Sequence, residues 1–261
     1  LDNMLSGVNR RFAEQLQLTN IRTLRPSCNN LYKLVTYIPD KYVNQVRNSL
    51  FEAGAGHIGN YNNCSYNTEG YGTFKANEYA NPFVGNKDEI HIENEIRTEV
   101  IFPIHLQQQI ICALIKTHPY EEPAFDIIPL ANTNPNIGSG MIGELEKEMN
   151  QTEFLLFLKK QMQLSCIKYN KTNDNPIKTV ALCGGSGSFL IGDAIREKAD
   201  IFISSEFKHN HFIETEGKIL LADIGHYESE VQTKELLCDL LIKKFSTFAA
   251  SIREQNPVSY L

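Results

Sequence analysis

His226 and Glu230 are the two residues of this chain whose types and spacing best suit metal binding. They lie in the run Gly225-His226-Tyr227-Glu228-Ser229-Glu230, directly after the apolar stretch 218–224. If a helix begins at His226, side chains four residues apart project from the same face of its first turn. An imidazole nitrogen and a carboxylate oxygen beside a strand end suit zinc, manganese or iron. The alternative is that His226 caps the helix while the glutamates only complement its dipole.

A glycine-rich motif, Cys183-Gly184-Gly185-Ser186-Gly187-Ser188, lies between a predicted strand and a predicted helix. Backbone N–H groups at such a place can hold a small anionic substrate. The motif lacks Gly-Lys-Ser/Thr, and Leu190 stands where a dinucleotide fingerprint has its third glycine, so nucleotide binding is not indicated. The alternative is a tight turn that needs positive φ.

Two further motifs contain histidine. His209 and His211 share a face only in an extended segment, so we expect surface or supporting roles for them rather than metal binding. The motif His118-Pro119-Tyr120-Glu121-Glu122-Pro123 contains groups that could bind metal. Its two prolines favour a rigid connector instead.

The composition narrows the class of protein. The chain has 261 residues, enough for one large domain or two smaller ones, and a net charge of -6. The basic residues are scattered, so nucleic acid is not an expected partner. No apolar run approaches the roughly 18 residues of a membrane helix, and no signal peptide is visible. Six widely spaced cysteines without a C-x-x-C pair predict reduced, buried thiols in a cytoplasmic protein.

The hydrophobic pattern between residues 30 and 130 predicts the order β-α-β-β-α-β. Strands are expected at 31–38, 63–75, 96–104 and 124–130, and helices at 41–53 and 105–116. This order is typical of a ferredoxin-like unit with helices on one face of an antiparallel sheet. The polar stretch 132–140, rich in Asn and Gly, predicts a loop at its boundary. We therefore expect an inserted domain at 30–133, flanked by 1–29 and 134–261.

The flanking segments predict a mostly three-layered α/β domain built from both chain ends. An apolar helical face at Val8, Phe12, Leu16 and Leu18 assigns the first segment to it. In the second segment, strands alternate with helices, which is typical of layered α/β domains. The strands are expected at 177–183, 201–204, 218–224 and 247–252, and the helices at 153–163, 188–197 and 226–245.

Several long motifs extend this interpretation. They are Leu1-Asp2 with Gly7-Val8-Asn9, Gly54-Ala55-Gly56-His57-Ile58-Gly59-Asn60-Tyr61-Asn62-Asn63-Cys64-Ser65, Gly72-Thr73-Phe74, His118-Pro119-Tyr120-Glu121-Glu122-Pro123-Ala124, Gly184-Gly185-Ser186-Gly187 and Gly225-His226-Tyr227-Glu228-Ser229-Glu230. Together they resemble the NIF-three family of dinuclear-metal proteins from the first residue of the chain to the last. Some members of that family carry the name GTP cyclohydrolase I type 2 homologue.

The resemblance implies a three-layer α-β-α metal domain, interrupted by a ferredoxin-like insert of PII/CutA type, in a toroidal homohexamer. It also implies two divalent metal ions per subunit in the complete protein. The matching ligands here are Asp2, His226 and Glu230. The family's His-His pair lies upstream of the Leu-Asp motif at which this chain begins. We therefore expect upstream residues in the complete protein, and weak or no metal binding by the three remaining ligands.

Two classes of function remain open from the sequence. The first is a metal-dependent hydrolase, in which paired ions activate water and polarise a phosphoryl or carbonyl group. The second is a non-catalytic, metal-binding regulatory assembly whose insert acts as a sensor or lid. A GTP cyclohydrolase-type activity is a weaker alternative that rests on the family name. Ser204-Ser205-Glu206, where the family more often has Thr-Gly-Asp, leaves the role of that loop open.

Overall fold

A computed structural model describes residues 1–171, 175–245, 248–251 and 255–259. The chain is a mixed α/β protein with two β-sheets. It forms two compact units, one composed of Leu1–Ser27 with Asn134–Leu261 and the other of Cys28–Thr133. In the described residues, the helices are too short or too polar to cross a lipid bilayer.

Helices and strands are interspersed along the whole chain. In sequence order they are α1 (Val8–Gln15), β1 (Thr19–Ser27), β2 (Leu31–Pro39), α2 (Val43–Glu52), β3 (Tyr66–Lys75), β4 (Ile90–Pro103), α3 (Gln107–Thr117), β5 (Phe125–Leu130), β6 (Asn134–Met149), α4 (Gln151–Gln161), β7 (Lys168–Tyr169), β8 (Ile177–Ser186), α5 (Ile191–Arg196), β9 (Ile201–Ser205), α6 (His209–Glu214), β10 (Leu220–Asp223), α7 (His226–Glu230) and α8 (Thr233–Phe245). Short 3-10 turns precede α2, α3 and α5.

The sheet of the first unit has the strand order β1-β6-β8-β9-β10-β7. Its three central strands, β8, β9 and β10, are parallel, and the outer pairs are antiparallel. Helices α5 and α6 connect the parallel strands. Because these strands run in the same direction, their carboxyl ends meet at one edge of the sheet, where open α/β sheets bind ligands.

Apolar residues on both faces bury this sheet. Val180 and Leu182 of β8 belong to one core cluster, together with Phe12 of α1 and Phe154 of α4. Ala181 and its neighbour Cys183 belong to a second cluster, which includes Leu190 and Ala194 beside α5. Successive strand residues point to opposite faces, so a strand covered on both faces needs a continuous apolar run. The sequence Val-Ala-Leu-Cys at 180–183 meets this requirement.

The second unit has a fully antiparallel sheet in the order β3-β4-β2-β5. Its element order is the predicted β-α-β-β-α-β. Leu34 and Ile38 of β2 belong to a core cluster with Leu50 of α2 and Leu114 of α3. Tyr37, which lies between them in sequence, belongs to the opposite face of the strand.

Several sequence predictions differ from the structure. The stretch 132–140 is mainly strand, because β6 begins at Asn134 and pairs with β1, a strand that the sequence interpretation had not anticipated. The single helix predicted at 226–245 is interrupted at residues 231–232 and forms α7 and α8. The predicted strand 247–252 begins and ends on residues outside the described part, and residues 248–251 have no regular structure.

The cysteines also differ from expectation. No disulfide joins the six cysteines, all of which lie in the described ranges, but Cys28, Cys112 and Cys166 are exposed, and Cys183 is the one that is buried. The prediction of buried thiols is therefore wrong for three positions. At Cys112 the apolar run 110–114 misled the prediction, because an amphipathic helix also has a solvent-facing side.

Candidate metal centre

The candidate centre lies in the first unit, where the parallel strands β8, β9 and β10 end at Ser186, Ser205 and Asp223. After β10 the chain turns at Gly225, whose φ of 92° is readily adopted only by glycine. Helix α7 then begins at His226. This turn directs the first residue of α7 towards the loops that follow the other two strands.

His226 and Glu230 approach each other as their spacing predicts. Nε2 of His226 lies 3.3 Å from Oε2 of Glu230, across the single turn of α7. Their side chains are 51% and 38% exposed, so an ion could reach them from solvent. The spacing prediction is confirmed, whereas metal binding by the pair stays a prediction.

Glu206 contacts the other nitrogen of the same ring. Its Oε1 lies 2.9 Å from Nδ1 of His226. Glu206 follows β9 and has a φ of 60°, in the left-handed region that is uncommon for residues other than glycine. The hydrogen bond to Glu206 is the main cause that raises the pKa of His226, and Glu230 adds to the effect. A carboxylate on one imidazole nitrogen typically orients the other nitrogen towards a metal ion.

The glycine-rich motif gives the Glu230 carboxylate its space. Gly185 has a φ of 64°, and a Cβ at this position would lie 2.6 Å from Oε1 of Glu230. The amide of Gly184 donates to Oδ1 of Asn9 at 2.7 Å, and that of Gly185 donates to Oγ of Ser229 at 2.9 Å. These two amides are used within the protein. The positive φ that a tight turn needs is present at Gly185, whereas Gly184 does not have it.

Ser204 and Ser205, at the end of β9, hold the glycine-rich motif in place. Both hydroxyls donate to the carbonyl oxygen of Gly185, at 2.9 and 2.7 Å respectively. Both serines are buried. Ser204 and Ser205 therefore hold Gly185 in place beside Glu230.

Asp2 lies on the same side of the unit. Its carbonyl oxygen accepts a hydrogen bond from Nδ2 of Asn9 at 2.9 Å, and Asn9 in turn accepts from Gly184. Burial raises the pKa of the Cys183 thiol to about 12, and the carboxylates of Glu230 and Asp2 contribute to the same shift. Both acidic residues therefore act electrostatically on one thiol, although they lie at opposite ends of the sequence.

The donors form a pair rather than a complete site. In residues 1–171, 175–245, 248–251 and 255–259, no three His, Cys, Asp or Glu side chains converge closely enough to hold one ion. Glu206 and Glu230 cannot both join His226 in one shell, because they face different nitrogens of its ring. His226 and Glu230 fit one side of a divalent cation, whose bonds to such donors are about 2 Å long. A full shell needs further ligands.

Other polar residues near the strand ends have structural roles. Buried Asp223 accepts hydrogen bonds from the amides of Phe207 and Gly225, both at 3.2 Å, and so connects the loops that carry Glu206 and His226. His209 and His211 lie in α6. Residues two apart in a helix project in different directions, and Nδ1 of His211 accepts from the amide of Lys208.

Sequence reasoning missed Glu206 and Asp223 as parts of the centre. Glu206 directly follows β9, and Asp223 is the last residue of β10. Both strands are apolar and parallel to β8, so their carboxyl ends lie at the same edge of the sheet. That position was the available signal, since polar side chains at the ends of parallel strands tend to converge.

The protein therefore belongs to a class of two-unit α/β proteins with a candidate metal centre. In this class, one unit is built from segments on both sides of an antiparallel unit in the sequence, and a His-Glu pair lies near the carboxyl ends of its parallel strands. The chain belongs to the Duf34/NIF3 family (NGG1p interacting factor 3), whose pattern it matches over residues 1–257.

Similar proteins support this assignment. A Bacillus subtilis (strain 168) protein named GTP cyclohydrolase 1 type 2 homolog is 36% identical over 271 residues, which cover 100% of this chain and 72% of that protein. A Halalkalibacterium halodurans protein of the same name is 36% identical over 269 residues, with the same coverage. The crystal structure of a Bacillus cereus protein related to NIF3 has a TM-score of 0.85 and 30% identity, covering 100% of this chain and 71% of that one.

Proposed function

We propose that this protein binds divalent metal ions at His226 and Glu230, with Asp2 as a further ligand. The observation that carries the proposal is the 3.3 Å approach of Nε2 of His226 to Oε2 of Glu230, with Glu206 on the opposite ring nitrogen. A neutral imidazole and a carboxylate suit zinc, manganese or iron. We further propose two ions per subunit in the complete protein, with ligands in addition to these three.

Each residue near the pair has a distinct part in this proposal. Glu206 accepts a hydrogen bond from Nδ1–H of His226, which leaves Nε2 without a hydrogen and able to bind an ion. Gly185 leaves room for the Glu230 carboxylate. Only the neutral form of His226 can bind an ion, so protons and metal ions compete for this ring.

The activity that best suits such a centre is metal-dependent hydrolysis. Bound there, divalent cations would supply Lewis acidity towards a phosphoryl or carbonyl oxygen of the substrate. The exposed side of His226 and Glu230 would face that substrate. The names of the relatives suggest GTP cyclohydrolase-type activity as an alternative, and we propose to include GTP among the tested substrates.

A non-catalytic, metal-binding regulatory role is the second candidate. The amides of Gly184 and Gly185 already donate within the protein, so they offer no cradle to an anionic substrate. This observation favours metal binding without turnover. Both candidate functions require bound metal, so they differ only in whether the protein turns over a substrate.

Calorimetric titration of the complete protein with zinc and with manganese tests metal binding, because we expect weak or no binding by Asp2, His226 and Glu230 alone. We expect His226→Ala and Glu230→Ala each to weaken binding by at least about 10- to 100-fold, because losses outside the direct shell already reach that range. His105→Ala, an exposed histidine of the second unit, is the matched control and should leave binding unchanged. Equal binding by wild type, H226A and E230A would refute the proposal.

Turnover is tested separately on the same preparations. The wild-type protein is assayed on a panel of phosphoesters and nucleotides, including GTP, with and without a chelator. Chelator-sensitive hydrolysis that H226A abolishes supports the hydrolase. Metal binding without turnover on any member of the panel supports the regulatory role.

We also propose the architecture that the sequence indicates. The first unit would be a three-layer α-β-α metal domain, supported by its core clusters on both sheet faces, and residues 30–133 would be a ferredoxin-like insert, supported by the compact unit Cys28–Thr133. A homohexamer would have six times the 29.6 kDa mass of one chain, which light scattering measures. Six cysteines without a disulfide among them suit the reducing cytoplasm.

A further inference from the structure

The second unit contains a cavity of about 420 Å³. It involves the face of the sheet opposite α2 and α3, to which Tyr37 of β2 and Glu95 of β4 belong, and the loops before β4 and β5. Pockets that bind small molecules typically measure about 300–1,000 Å³. The cavity is therefore large enough for a small ligand, and it includes part of the 118–123 motif.

Aromatic rings form much of the cavity lining. Tyr37, Phe74, Phe83 and Tyr120 all line it. The ring centroid of Tyr120 lies 6.3 Å from that of Phe74 and 6.2 Å from that of Phe83, and the rings are tilted rather than stacked. Tyr120 is therefore a neighbour of both phenylalanine rings. The negatively charged face of an aromatic ring attracts cations.

Three carboxylates share the same lining, namely Glu95, Glu121 and Glu122. Oε1 of Glu95 accepts a hydrogen bond from the Tyr120 hydroxyl at 2.8 Å. Gly72 of β3 lies directly against the Glu95 carboxylate, where a Cβ would collide with Oε2. All lining residues come from the described range 1–171, and none of them is Lys or Arg. The negative charge of this cavity is therefore not neutralised by its own lining.

Burial and the neighbouring carboxylates of Glu95 and Glu93 raise the pKa of Tyr120. The hydroxyl therefore stays protonated and continues to donate to Glu95. A neutral phenol keeps the ring in place without adding a charge of its own. The part of this shift that comes from Glu95 and Glu93 has the sign expected next to negative charges.

We propose that this cavity binds a small organic cation, with its ammonium group among the rings of Phe74, Phe83 and Tyr120 and close to the Glu95 carboxylate. Aromatic cages that bind quaternary or methylated ammonium groups combine these features. The rings favour an organic cation over a bare metal ion, which needs several oxygen ligands around it. The site is separate from the His226 centre and does not depend on metal.

Calorimetric titration of the whole protein with choline tests the proposal. The matched control ligand is 3,3-dimethylbutan-1-ol, which has the shape of choline but no charge. We expect choline to bind about tenfold or more tightly than this alcohol, since a desolvated cation gains that much from aromatic faces. Equal affinities would show a merely apolar cavity, and no detectable choline binding would also overturn the proposal.

Two substitutions separate charge from ring contact. Glu95→Gln keeps an acceptor for the Tyr120 hydroxyl but removes the charge, and Phe83→Leu keeps apolar volume but removes the ring. Each should weaken choline binding about fivefold or more without changing the affinity for the alcohol. Glu52→Gln, an exposed position on α2, is the matched control and should behave as wild type.

The same variants test a competing occupant. If a second copy of this chain covers the cavity, E95Q and F83L will change the sedimentation behaviour of the protein rather than its choline affinity. That result would overturn the proposal. Unchanged sedimentation with reduced choline affinity in both variants would support it.

Discussion

At the scale of single residues, the imidazole of His226 contacts both carboxylates of the candidate centre. His226 has Glu206 on Nδ1 and Glu230 on Nε2. The two carboxylates have different roles, because an ion bound to Nε2 lies beside Glu230, whereas Glu206 faces the other nitrogen. In the proposed centre, Glu230 would be a ligand and Glu206 would fix the ring and its tautomer.

This division predicts the behaviour of Glu206→Gln. The amide oxygen can still accept from Nδ1, but the negative charge is lost, so we expect zinc affinity to fall about 10-fold while the ring stays in place. Glu230→Gln should cost more, because it changes a direct ligand. Calorimetry gives the affinities, and ¹⁵N chemical shifts of the imidazole report its tautomer.

Glu216→Gln serves as the control for Glu206→Gln, since Glu216 is an exposed glutamate of the same unit. It should bind zinc as the wild type does. If E206Q and E216Q have the same affinity, Glu206 does not position the ring.

The sequence predicted some of these residues and not others, for a physical reason. His226 and Glu230 are four residues apart, and helical geometry alone brings them together. Glu206 lies 20 residues before His226 and meets it only because β9 and β10 are neighbouring parallel strands. Such a contact depends on sheet topology, which residue spacing does not encode.

At the scale of elements, the strongly periodic segments were predictable, whereas a strand built from turn-forming residues was not. The six elements of the second unit follow the predicted order. Strand β6 was mistaken for a loop, because Asn134, Pro135 and Gly138 are turn-forming residues. Pairing with β1 on one side and β8 on the other overrides those local preferences.

The segment between α3 and β5 is fixed by His118. Buried His118 has Nε2 3.0 Å from the carbonyl oxygen of Tyr37, to which it donates, and its Nδ1 accepts from the amide of Tyr120 at 3.2 Å. Both ring nitrogens are therefore used in the neutral form. Burial lowers the pKa of His118 below its ordinary value of 6.5. The histidine of the predicted connector thus anchors it to β2.

This anchor predicts a pH dependence of stability. Because the folded-state pKa of His118 is lower than the unfolded value, the unfolded chain binds the extra proton first as pH falls. The contribution of His118 is complete above about pH 6.5 and decreases as pH falls below that value. We therefore expect the free energy of unfolding, measured with urea, to decrease from pH 7.5 to pH 5.5.

Other groups titrate in the same range, so a variant isolates His118. His118→Gln can still donate to Tyr37 and accept from Tyr120, but it does not titrate. Its stability should decrease less than that of the wild type over this interval. Identical decreases in the two proteins would show that His118 has no part in the pH dependence.

At the scale of the whole molecule, each unit has its own core. The two core clusters of the first unit contain residues from the two outer segments, whereas the buried cluster of the second unit lies between Leu34 and Leu114 in the sequence. The ends of each unit also meet within a sheet. Ser27 of β1 is paired with Asn134 of β6, and Leu31 of β2 is paired with Leu130 of β5.

This geometry predicts that the two units fold separately. Deleting residues 28–133 and joining Ser27 to Asn134 through Asn-Gly gives β1 and β6 a two-residue hairpin turn, which suits antiparallel strands. The shortened protein should unfold cooperatively in urea and bind zinc with the affinity of the intact chain, because Asp2, His226 and Glu230 all remain. Residues 28–133 alone should also fold and should bind choline as the intact chain does.

Circular dichroism measures folding, and the two titrations measure the sites. If either piece is unfolded while the intact chain is folded, the units depend on each other; if both fold but one loses its ligand, that site requires residues from the other unit.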